Sequence, residues 1–588
     1  MNEQIKWVFS NLKGKRALFA FAVCCTVLAN ALQIAVPFFS KTIVDKFLSF
    51  DDANEAETFI QGNTNLLYLL LIGMIGVTFI RTVIVYTGNL SYERVSQHFV
   101  VKMRARLFRN IEAQSMEFYD RYRTGDLMTR LTGDLEAVRH MIAWVCRMII
   151  ECVVLFSVAI IYYFTMDWLL AVCLFALCPV IFTLMFIFRK KVAPMHRQLR
   201  ERLSELNTAA QENISGNRVV KAFAREDYEI ARFDEKNKAF SESNMKTAFV
   251  WLKFFPAIEG CADALAVVML LAGGLFLIYG RIGLGDYVAF SGMIWTLANP
   301  TRNLGSVLNE LQRFSAAAKK IMEIDSAVPT MSEKTDAVEH PERFKGEIEF
   351  DHVSFAYDDA PCAEVLHDIS FKIKPGETLA IMGDTGSGKT SLINMIPRFY
   401  DPTSGSVKID GIDVKDMKFS ELRKNIGMAT QDVLLYSDSI DGNIAYGNSG
   451  MPLETVKKYA EKSAVTSFVY QLPQGFDTII GERGVGLSGG QKQRISLARA
   501  LAITPSILIL DDTTSAVDTE TEQFIQENLK NLDFECTKII IAQRISSTKD
   551  ADHIMILRNG RIEEMGTHDE LLAKRGYYYE VYSLQQSA

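Results

Sequence analysis

Two neighbouring carboxylates, Asp511 and Asp512, end the apolar run "SILILDD". A nearly continuous apolar run of this length is typical of a strand that is buried on both faces. A carboxylate at the carboxyl end of such a strand lies at the crevice of an open α/β sheet, where ligands bind. With the phosphate loop described next lying beside this strand end, we expect Asp511 on the Mg²⁺ side and Asp512, one residue on, in a position to orient or deprotonate an attacking water.

A glycine-rich stretch, "LAIMGDTGSGKTSL" (379–392), matches the phosphate-loop pattern G-x-x-x-x-G-K-[ST]. It follows an apolar strand and opens a helix, so backbone N–H groups and the helix terminus face the phosphates. Lys389 is expected to reach the outer phosphates, and the Thr390 hydroxyl is expected to bind Mg²⁺. The ATP-binding residues predicted here are Gly383, Asp384, Thr385, Gly386, Ser387, Gly388, Lys389, Thr390 and Ser391. A second glycine-rich helix start, "GVGLSGGQKQR" (484–494), follows about a hundred residues later.

The bulk composition indicates a membrane protein. The chain has 588 residues, 49% of them hydrophobic, a mean hydropathy of +0.09 and a net charge of −7. That charge argues against nucleic acid as a partner. The nine cysteines show no metal-binding spacing.

The long apolar runs all lie before about residue 310, and each is near the ~20 residues that cross a bilayer. Six spans are predicted: 17–39, 65–88, 142–164, 168–189, 249–280 and 286–308. The segments 89–141 and 189–246 are rich in Lys and Arg, which places them in the cytoplasm together with the second half of the chain. They should form long helical rods with tips near 117–127 and 213–223.

The predicted organisation is an α-helical six-span transmembrane domain followed by an α/β nucleotide-binding domain. The first occupies residues 1–324, a linker 325–345, and the second 346–588. Alternating strand-like and helix-like segments in 346–588 predict a mostly parallel sheet.

These motifs in this order resemble an ATP-binding cassette (ABC) exporter half-transporter of the multidrug type, over essentially the whole chain. The resemblance rests on the phosphate loop, "LSGGQ", "LILDD…SAVD", "VSFAY" (353–357) and "GMATQDVLLYSDSIDGNI" (427–444). It implies ATP and Mg²⁺ as ligands and two subunits that enclose two ATP molecules. It places the chain in the bacterial plasma membrane, with the loop tips as coupling helices.

The resemblance also assigns residues. It implies that Tyr357 stacks on adenine, that Gln431 contacts Mg²⁺ together with Thr390 and Asp511, and that Asp518 belongs to the loop after the acidic strand. The signature residues, expected to contact the ATP of the opposite subunit, are Leu487, Ser488, Gly489, Gly490 and Gln491.

Two positions depart from the family pattern. Asp512 stands where the family usually has Glu, and Gln543 stands where it usually has His. Asp is one methylene shorter, and Gln cannot carry positive charge. We therefore expect a degenerate site that binds ATP and hydrolyses it poorly, in a heterodimer whose other chain carries the catalytic Glu and His. A homodimer with two slow sites is the alternative.

Charged residues within the predicted spans raise the question of the substrate. Glu259 and Asp263 lie about one helical turn apart, and they either line a cavity that attracts cations or form helix–helix hydrogen bonds. Arg147 and Glu151 have the spacing of a structural ion pair. Three functional classes remain: an exporter of hydrophobic or amphipathic compounds, a lipid flippase, and an ATP-gated channel or regulatory subunit. Membrane lipids and a hydrophobic small molecule are the expected partners besides the second subunit.

Overall fold

The computed structural model describes residues 1–48, 53–338, 343–357, 363–481, 484 and 486–587. The chain forms two compact units, and the first comprises Met1–Ile111 and Gly125–Ala327. The second comprises Glu112–Thr124 and Val328–Ala588, so residues 117–124 of the first predicted loop tip belong to the unit of the α/β half.

The first unit is helical because long apolar runs satisfy their backbone groups within each helix. Its helices are α1 (Asn2–Asn11), α2 (Arg16–Phe47), α3 (Ala53–Glu112), α5 (Thr124–Thr129), α6 (Leu135–His140), α7 (Cys146–Met166), α8 (Trp168–Phe175), α9 (Leu177–Ser215), α10 (Asn217–Ala222), α11 (Glu226–Val268), α12 (Gly274–Ile278), α13 (Leu284–Gly292) and α14 (Trp295–Asp325). Helix α4 (Met116–Arg121) lies between α3 and α5, within the second unit.

Five helical stretches of the described residues are long and apolar enough to cross a membrane: Arg16–Phe47, Asn63–Glu112, Thr124–Met166, Trp168–Ser215 and Glu226–Ile278. The prediction of six spans is therefore not confirmed. The predicted span 286–308 is divided at Met293 and Ile294 between α13 and α14. Helix α13 has only 9 residues, and α14 carries Pro300 and Arg302 early in its length. Neither matches the ~20 apolar residues of a span.

Both predicted loop tips contain short helices. Helix α4 follows the long helix α3, and α10 lies between α9 and α11. Helices α9 and α11 pack side by side along their length, as expected for a rod pair. Their function as coupling helices stays a prediction.

The second unit holds two sheets. The strands are β1 (Ile348–Ala356), β2 (Glu364–Ile373), β3 (Thr378–Met382), β4 (Ser404–Ile409), β5 (Ile412–Asp413), β6 (Ile426–Ala429), β7 (Ile507–Asp511), β8 (Thr537–Ile541), β9 (His553–Arg558) and β10 (Arg561–Gly566). The six-stranded sheet has the order β10-β9-β3-β8-β7-β6 and is parallel except for β10. The smaller sheet, β2-β1-β4-β5, is antiparallel. The α/β prediction is confirmed.

The helices of this unit are α15 (Lys389–Asn394), α16 (Phe419–Lys424), α17 (Ile440–Ile444), α18 (Leu453–Lys462), α19 (Thr466–Val469), α20 (Gly489–Ala502), α21 (Thr519–Lys530), α22 (Ile545–Thr548), α23 (His568–Lys574) and α24 (Tyr577–Ser587). Strands β3, β8 and β7 are parallel neighbours and fully or almost fully buried. Their carboxyl ends therefore meet at one edge of the sheet, which is where ligands bind in open α/β sheets.

Candidate ATP site

The phosphate loop joins β3 to α15 and depends on glycine at three positions with positive φ: Gly383 (146°), Gly386 (82°) and Gly388 (99°). A Cβ atom on Gly383 would lie 2.0 Å from the carbonyl oxygen of Leu557, and one on Gly388 would lie 2.7 Å from a Leu366 methyl. Since these contacts exclude any side chain, the backbone packs closely and leaves an open concavity for a ligand. Such a cradle fits phosphate groups.

Lys389 folds over this loop. Its Nζ donates hydrogen bonds to the carbonyl oxygens of Gly383 and Asp384, at 2.8 and 2.7 Å. Burial lowers the pKa of Lys389, and the nearby carboxylates of Asp511 and Asp384 oppose that shift. The ammonium group therefore lies at the phosphate loop, where it is hydrogen-bonded to neutral acceptors that an anionic phosphate can replace.

The acidic end of β7 lies beside the start of α15. The Thr390 hydroxyl donates to Asp511 Oδ2 at 3.3 Å, and Asp511 is buried, with 5% of its surface exposed. Burial raises the pKa of Asp511, while the hydrogen bond from Thr390 lowers it. Hydroxyl and carboxylate oxygens are the ligands that Mg²⁺ prefers. Thr390 and Asp511 therefore fit a magnesium ion, which would supply charge neutralisation next to the phosphates.

Asp512 has an unusual backbone conformation, with φ of +50°. Its N–H donates to Ile541 O at 3.0 Å, and its carbonyl oxygen accepts from Gln493 Nε2 at 3.2 Å and from the Ser515 hydroxyl at 3.0 Å. These bonds fix the backbone of Asp512 in the left-handed region, which costs about 1 kcal/mol for a non-glycine residue.

One cavity of about 290 Å³ collects most of the predicted site. The predicted residues that line it are Thr385, Gly386, Gly388, Lys389, Thr390, Ser391, Gln431, Asp511, Asp512 and Gln543. The two positions that depart from the family pattern, Asp512 and Gln543, thus face the same space as Lys389. Gly383, Asp384 and Ser387 belong to the loop but do not line the cavity.

Tyr357 lies outside the lining of this cavity. Its hydroxyl is 2.8 Å from Ser391 Oγ, and its ring meets the Tyr400 ring edge-on at 5.3 Å. Tyr357 is thereby held against the start of α15. Its stacking on adenine stays a prediction.

The signature residues begin α20. Ser488 Oγ accepts from Gln491 N, and Gln491 Oε1 accepts from Ser488 N, which forms a capping box. A Cβ on Gly490 would lie 2.6 Å from Ala516 O, so α20 packs directly on the loop after β7. None of Leu487, Ser488, Gly489, Gly490 and Gln491 lines the cavity.

Asp518, after the same loop, caps α21. Its Oδ1 accepts from Thr521 N at 2.9 Å, and this backbone N–H lowers the pKa of Asp518. Asp518 is an exposed residue. This geometry leaves it available to a second chain.

Two polar residues of this region were not predicted from the sequence. Gln493 is 7% exposed and bonds Asp512, Ser515 and Ala516, so it joins the signature helix to the acidic loop. A polar residue on the buried face of α20 was the available signal.

Glu522 is the second. It is 4% exposed and accepts from the Thr514 and Ser547 hydroxyls, and Arg544 pairs with it at 3.2 Å. It therefore connects the loop after Asp512 to the segment that follows Gln543. Its partners lie 8 to 25 residues away, and no sequence pattern marks them.

In the first unit, Glu259 and Asp263 share one partner. Arg302 Nε lies 3.0 Å from Glu259 Oε2, and its Nη2 lies 2.7 Å from Asp263 Oδ1. Glu151 behaves differently from the prediction: Arg147 donates to Asn89 at 3.0 Å and forms no ion pair with Glu151 among the described residues. The neutral amide of Asn89 lies within reach of the guanidinium, and this contact replaces the expected i, i+4 pair.

Known protein families match segments of both units. The model of the ABC transporter transmembrane region matches residues 19–301, and the ABC transporter model matches residues 366–515. The chain is 34% identical to the ATP-dependent lipid A-core flippase of Syntrophus aciditrophicus, over 96% of this chain and 92% of that protein. It is 32% identical to the putative multidrug export ATP-binding/permease protein YgaD of Bacillus subtilis, over 97% of each chain.

A solved structure of an ABC exporter has a similar fold. The structure of a bacterial Atm1-family ABC exporter with ATP bound superposes with a TM-score of 0.78 and 27% identity, over 97% of this chain and 98% of that chain. The ATPase domain implies ATP binding, and exporters of this fold act as dimers. The chain belongs to the ABC transporter family: it is an exporter-type membrane protein in which a transmembrane region is joined to the ATPase domain that drives translocation.

Proposed function

We propose that this chain is one subunit of a heterodimeric exporter of amphipathic compounds, and that its own ATP site holds ATP longer than it hydrolyses it. The observation that carries the proposal is the common cavity of Lys389, Asp511, Asp512 and Gln543. Phosphate-loop residues and the proposed Mg²⁺ ligands line that cavity, together with the two residues that depart from the family pattern. The α/β half is proposed to face the cytoplasm of a bacterial cell.

The chemistry of the two altered residues supports slow hydrolysis. The carboxylate of Asp512 ends one methylene short of the position that a Glu side chain reaches, so its oxygens lie about an ångström or more from a water at the γ-phosphate. A displacement of that size costs on the order of a hundredfold in rate. Gln543 accepts and donates hydrogen bonds but stays neutral, so it supplies no positive charge to the transferring phosphoryl group.

The intact signature supports a second, different chain. Leu487, Ser488, Gly489, Gly490 and Gln491 are proposed to serve the site of the partner subunit, with Asp518 at the same interface. Their capping box is formed, so that part of the interface is preorganised. A complete signature beside a degenerate site is consistent with one competent site built on the partner, which would carry Glu and His.

The purified chain tests this directly. Alone, it should bind Mg-ATP and show an ATPase rate on the order of a hundredfold below that of the pair assembled with its partner. Lys389→Ala is the control that removes binding. A stable dimer of this chain alone, with ordinary substrate-stimulated ATPase, would contradict the heterodimer.

A second observation favours lipid-like anionic substrates. A cavity of about 180 Å³ between α2, α3 and α7 is lined by Arg81, Arg147, Asn30 and Asn89, with Glu151 as its carboxylate. The Nε of Arg81 is buried there without a hydrogen-bond partner among the described residues. Charged groups within membrane helices mark substrate pathways, and two guanidinium groups suit a phosphate or carboxylate.

The contacts of Glu259 and Asp263 weaken the hypothesis that these carboxylates attract a cationic substrate, because Arg302 pairs with both of them. Reconstituted liposomes separate the classes: flipping of a fluorescent anionic phospholipid, uptake of a cationic dye, or ion current. Arg81→Gln should reduce anionic transport, and Glu259→Gln is the control that should leave it unchanged. Unaltered lipid flipping with Arg81→Gln and Arg147→Gln together would remove this substrate class.

A further inference from the structure

One side chain of α24 holds both sides of the turn that begins with Gln543. Gln585 Nε2 donates to the carbonyl oxygen of Gln543 at 2.9 Å, and Gln585 Oε1 accepts from the N–H of Ile545 at 2.9 Å. Both bonds have the length of well-formed amide hydrogen bonds. Because both partners are backbone groups, Gln585 fixes the path of the chain there whatever side chain occupies position 543.

The other end of the same helix contacts the phosphate loop. The Tyr577 hydroxyl donates to Asp384 Oδ1 at 2.8 Å, and Arg558 Nε lies 3.2 Å from Asp384 Oδ2. The guanidinium of Arg558 also covers the Tyr577 ring at 4.9 Å. Tyr577 and Gln585 are eight residues apart, about 12 Å along the helix. Helix α24 thus spans the two segments between which the ATP phosphates would lie.

Packing makes α24 a rigid element. Glu564 Oε1 accepts from Tyr577 N at 2.6 Å and so caps the start of the helix. Tyr578 is fully buried, with its hydroxyl 2.6 Å from His568 Nδ1. It packs in an apolar cluster with Met382 at the end of β3 and with Ile545 itself. Since the helix shares a core with both segments, a movement of one is resisted by the other.

We propose that Gln585 is a positioning residue of the ATP site, and that α24 braces the turn at Gln543 against the phosphate loop. Gln585 does not line the cavity, so it acts through the backbone of residues 543–545. The expected change in the rate of ATP hydrolysis rests on the proposed function, which places Gln543 at the γ-phosphate. The structural consequence, a turn held by one amide side chain, is independent of it.

Gln585→Ala in the full-length chain tests the brace. Loss of the two bonds should accelerate amide hydrogen exchange in residues 543–548 by about fivefold to a hundredfold. The single-turnover rate of ATP hydrolysis should change by about threefold or more. The affinity for ATP should change little, because Lys389 and its loop are untouched. Gln586→Ala is the matched control, because the Gln586 amide donates to the Tyr582 hydroxyl within α24.

Gln585→Glu separates the two bonds. The carboxylate still accepts from Ile545 N but cannot donate to Gln543 O, so Ile545 should stay protected while the turnover rate changes as in Gln585→Ala. Unchanged exchange in Gln585→Ala, or an equal change in Gln586→Ala, overturns the brace. Faster exchange with an unchanged single-turnover rate overturns the positioning role. Failure of the proposed function appears separately, as fast turnover by the unmodified chain.

Discussion

Replacing Gln493 with leucine tests how the signature helix is joined to the acidic loop. The buried amide donates to Asp512 O and to Ser515 Oγ and accepts from Ala516 N, each at 3.2 Å. Leucine has a similar volume but no polar atom. Asp512 O keeps a donor in the Ser515 hydroxyl, whereas the Ala516 N–H loses its partner. The cost therefore falls on one orphaned N–H and on one weakened acceptor.

Ala516 is an exposed residue, so its freed N–H can bind water, and each lost hydrogen bond costs about 0.5–1.5 kcal/mol. With two such losses the loop 512–516 should open about 1–3 kcal/mol more easily, so its amide exchange should accelerate about 5-fold to 150-fold. Exchange mass spectrometry of the full-length chain measures this. Gln471→Leu is the control, since among the described residues its exposed amide donates only to the carbonyl oxygen of Ser467 in the preceding turn. Unchanged exchange in 512–516 would refute the reasoning.

Three further outcomes are expected. Gly490→Ala should lower the unfolding temperature by several degrees, because its Cβ would lie 2.6 Å from a backbone carbonyl oxygen. Gly489→Ala is the control: its Cβ would have its nearest neighbour at 3.6 Å, so the unfolding temperature should stay unchanged or rise. Equal effects of the two variants would contradict the packing. Burial raises the pKa of Cys536 to about 12, so at pH 8 only about one thiolate in 10⁴ is present and iodoacetamide should label Cys536 only after unfolding; rapid labelling of the native chain would contradict this. Tyr400→Phe removes the hydroxyl that donates to Asp120 in α4 at 2.7 Å, so substrate stimulation of the assembled transporter's ATPase should fall about tenfold while the unstimulated rate is kept. Asp120→Asn still accepts this hydrogen bond and should have a smaller effect. Full stimulation with Tyr400→Phe would show that this bond does not couple substrate binding to ATP hydrolysis.

The parts of the fold that sequence patterns predict well are those with one dominant force. The run "ILIL" before Asp511 is continuous because β7 is buried on both faces, and β7 is fully buried in the structure. The phosphate loop is predictable because only glycine tolerates its close backbone contacts. The α/β architecture follows from alternating strand and helix signals. The antiparallel sheet β2-β1-β4-β5 carries no comparable signal.

The sixth span shows where hydropathy is insufficient. The segment 286–308 contains apolar residues at both ends, and its middle includes Pro300 and Arg302. The structure places the helix break earlier, at Met293 and Ile294, and pairs Arg302 with carboxylates of α11. Composition averages over such a segment, whereas its structure is decided by these individual contacts.

The polar connections around the site could not be predicted because their partners are remote in sequence. Gln585 contacts residues 40 and 42 positions earlier, and Glu522 contacts Ser547, 25 positions later. Such bonds follow from the stacking of α24 and α21 on the sheet and have no sequence period. Gln543 and Asp512 stand out by residue type alone, whereas the residues that hold them are identified only by the three-dimensional structure.

The central claim is that the site built on Lys389 holds ATP without rapid hydrolysis. Rapid-quench analysis of radiolabelled Mg-ATP bound to the full-length chain measures it most directly. The bound nucleotide should remain ATP, and the double variant Asp512→Glu, Gln543→His should hydrolyse it on the order of a hundredfold faster or more. Conversion of ATP to ADP by the unmodified chain at the rate of the double variant would contradict the account.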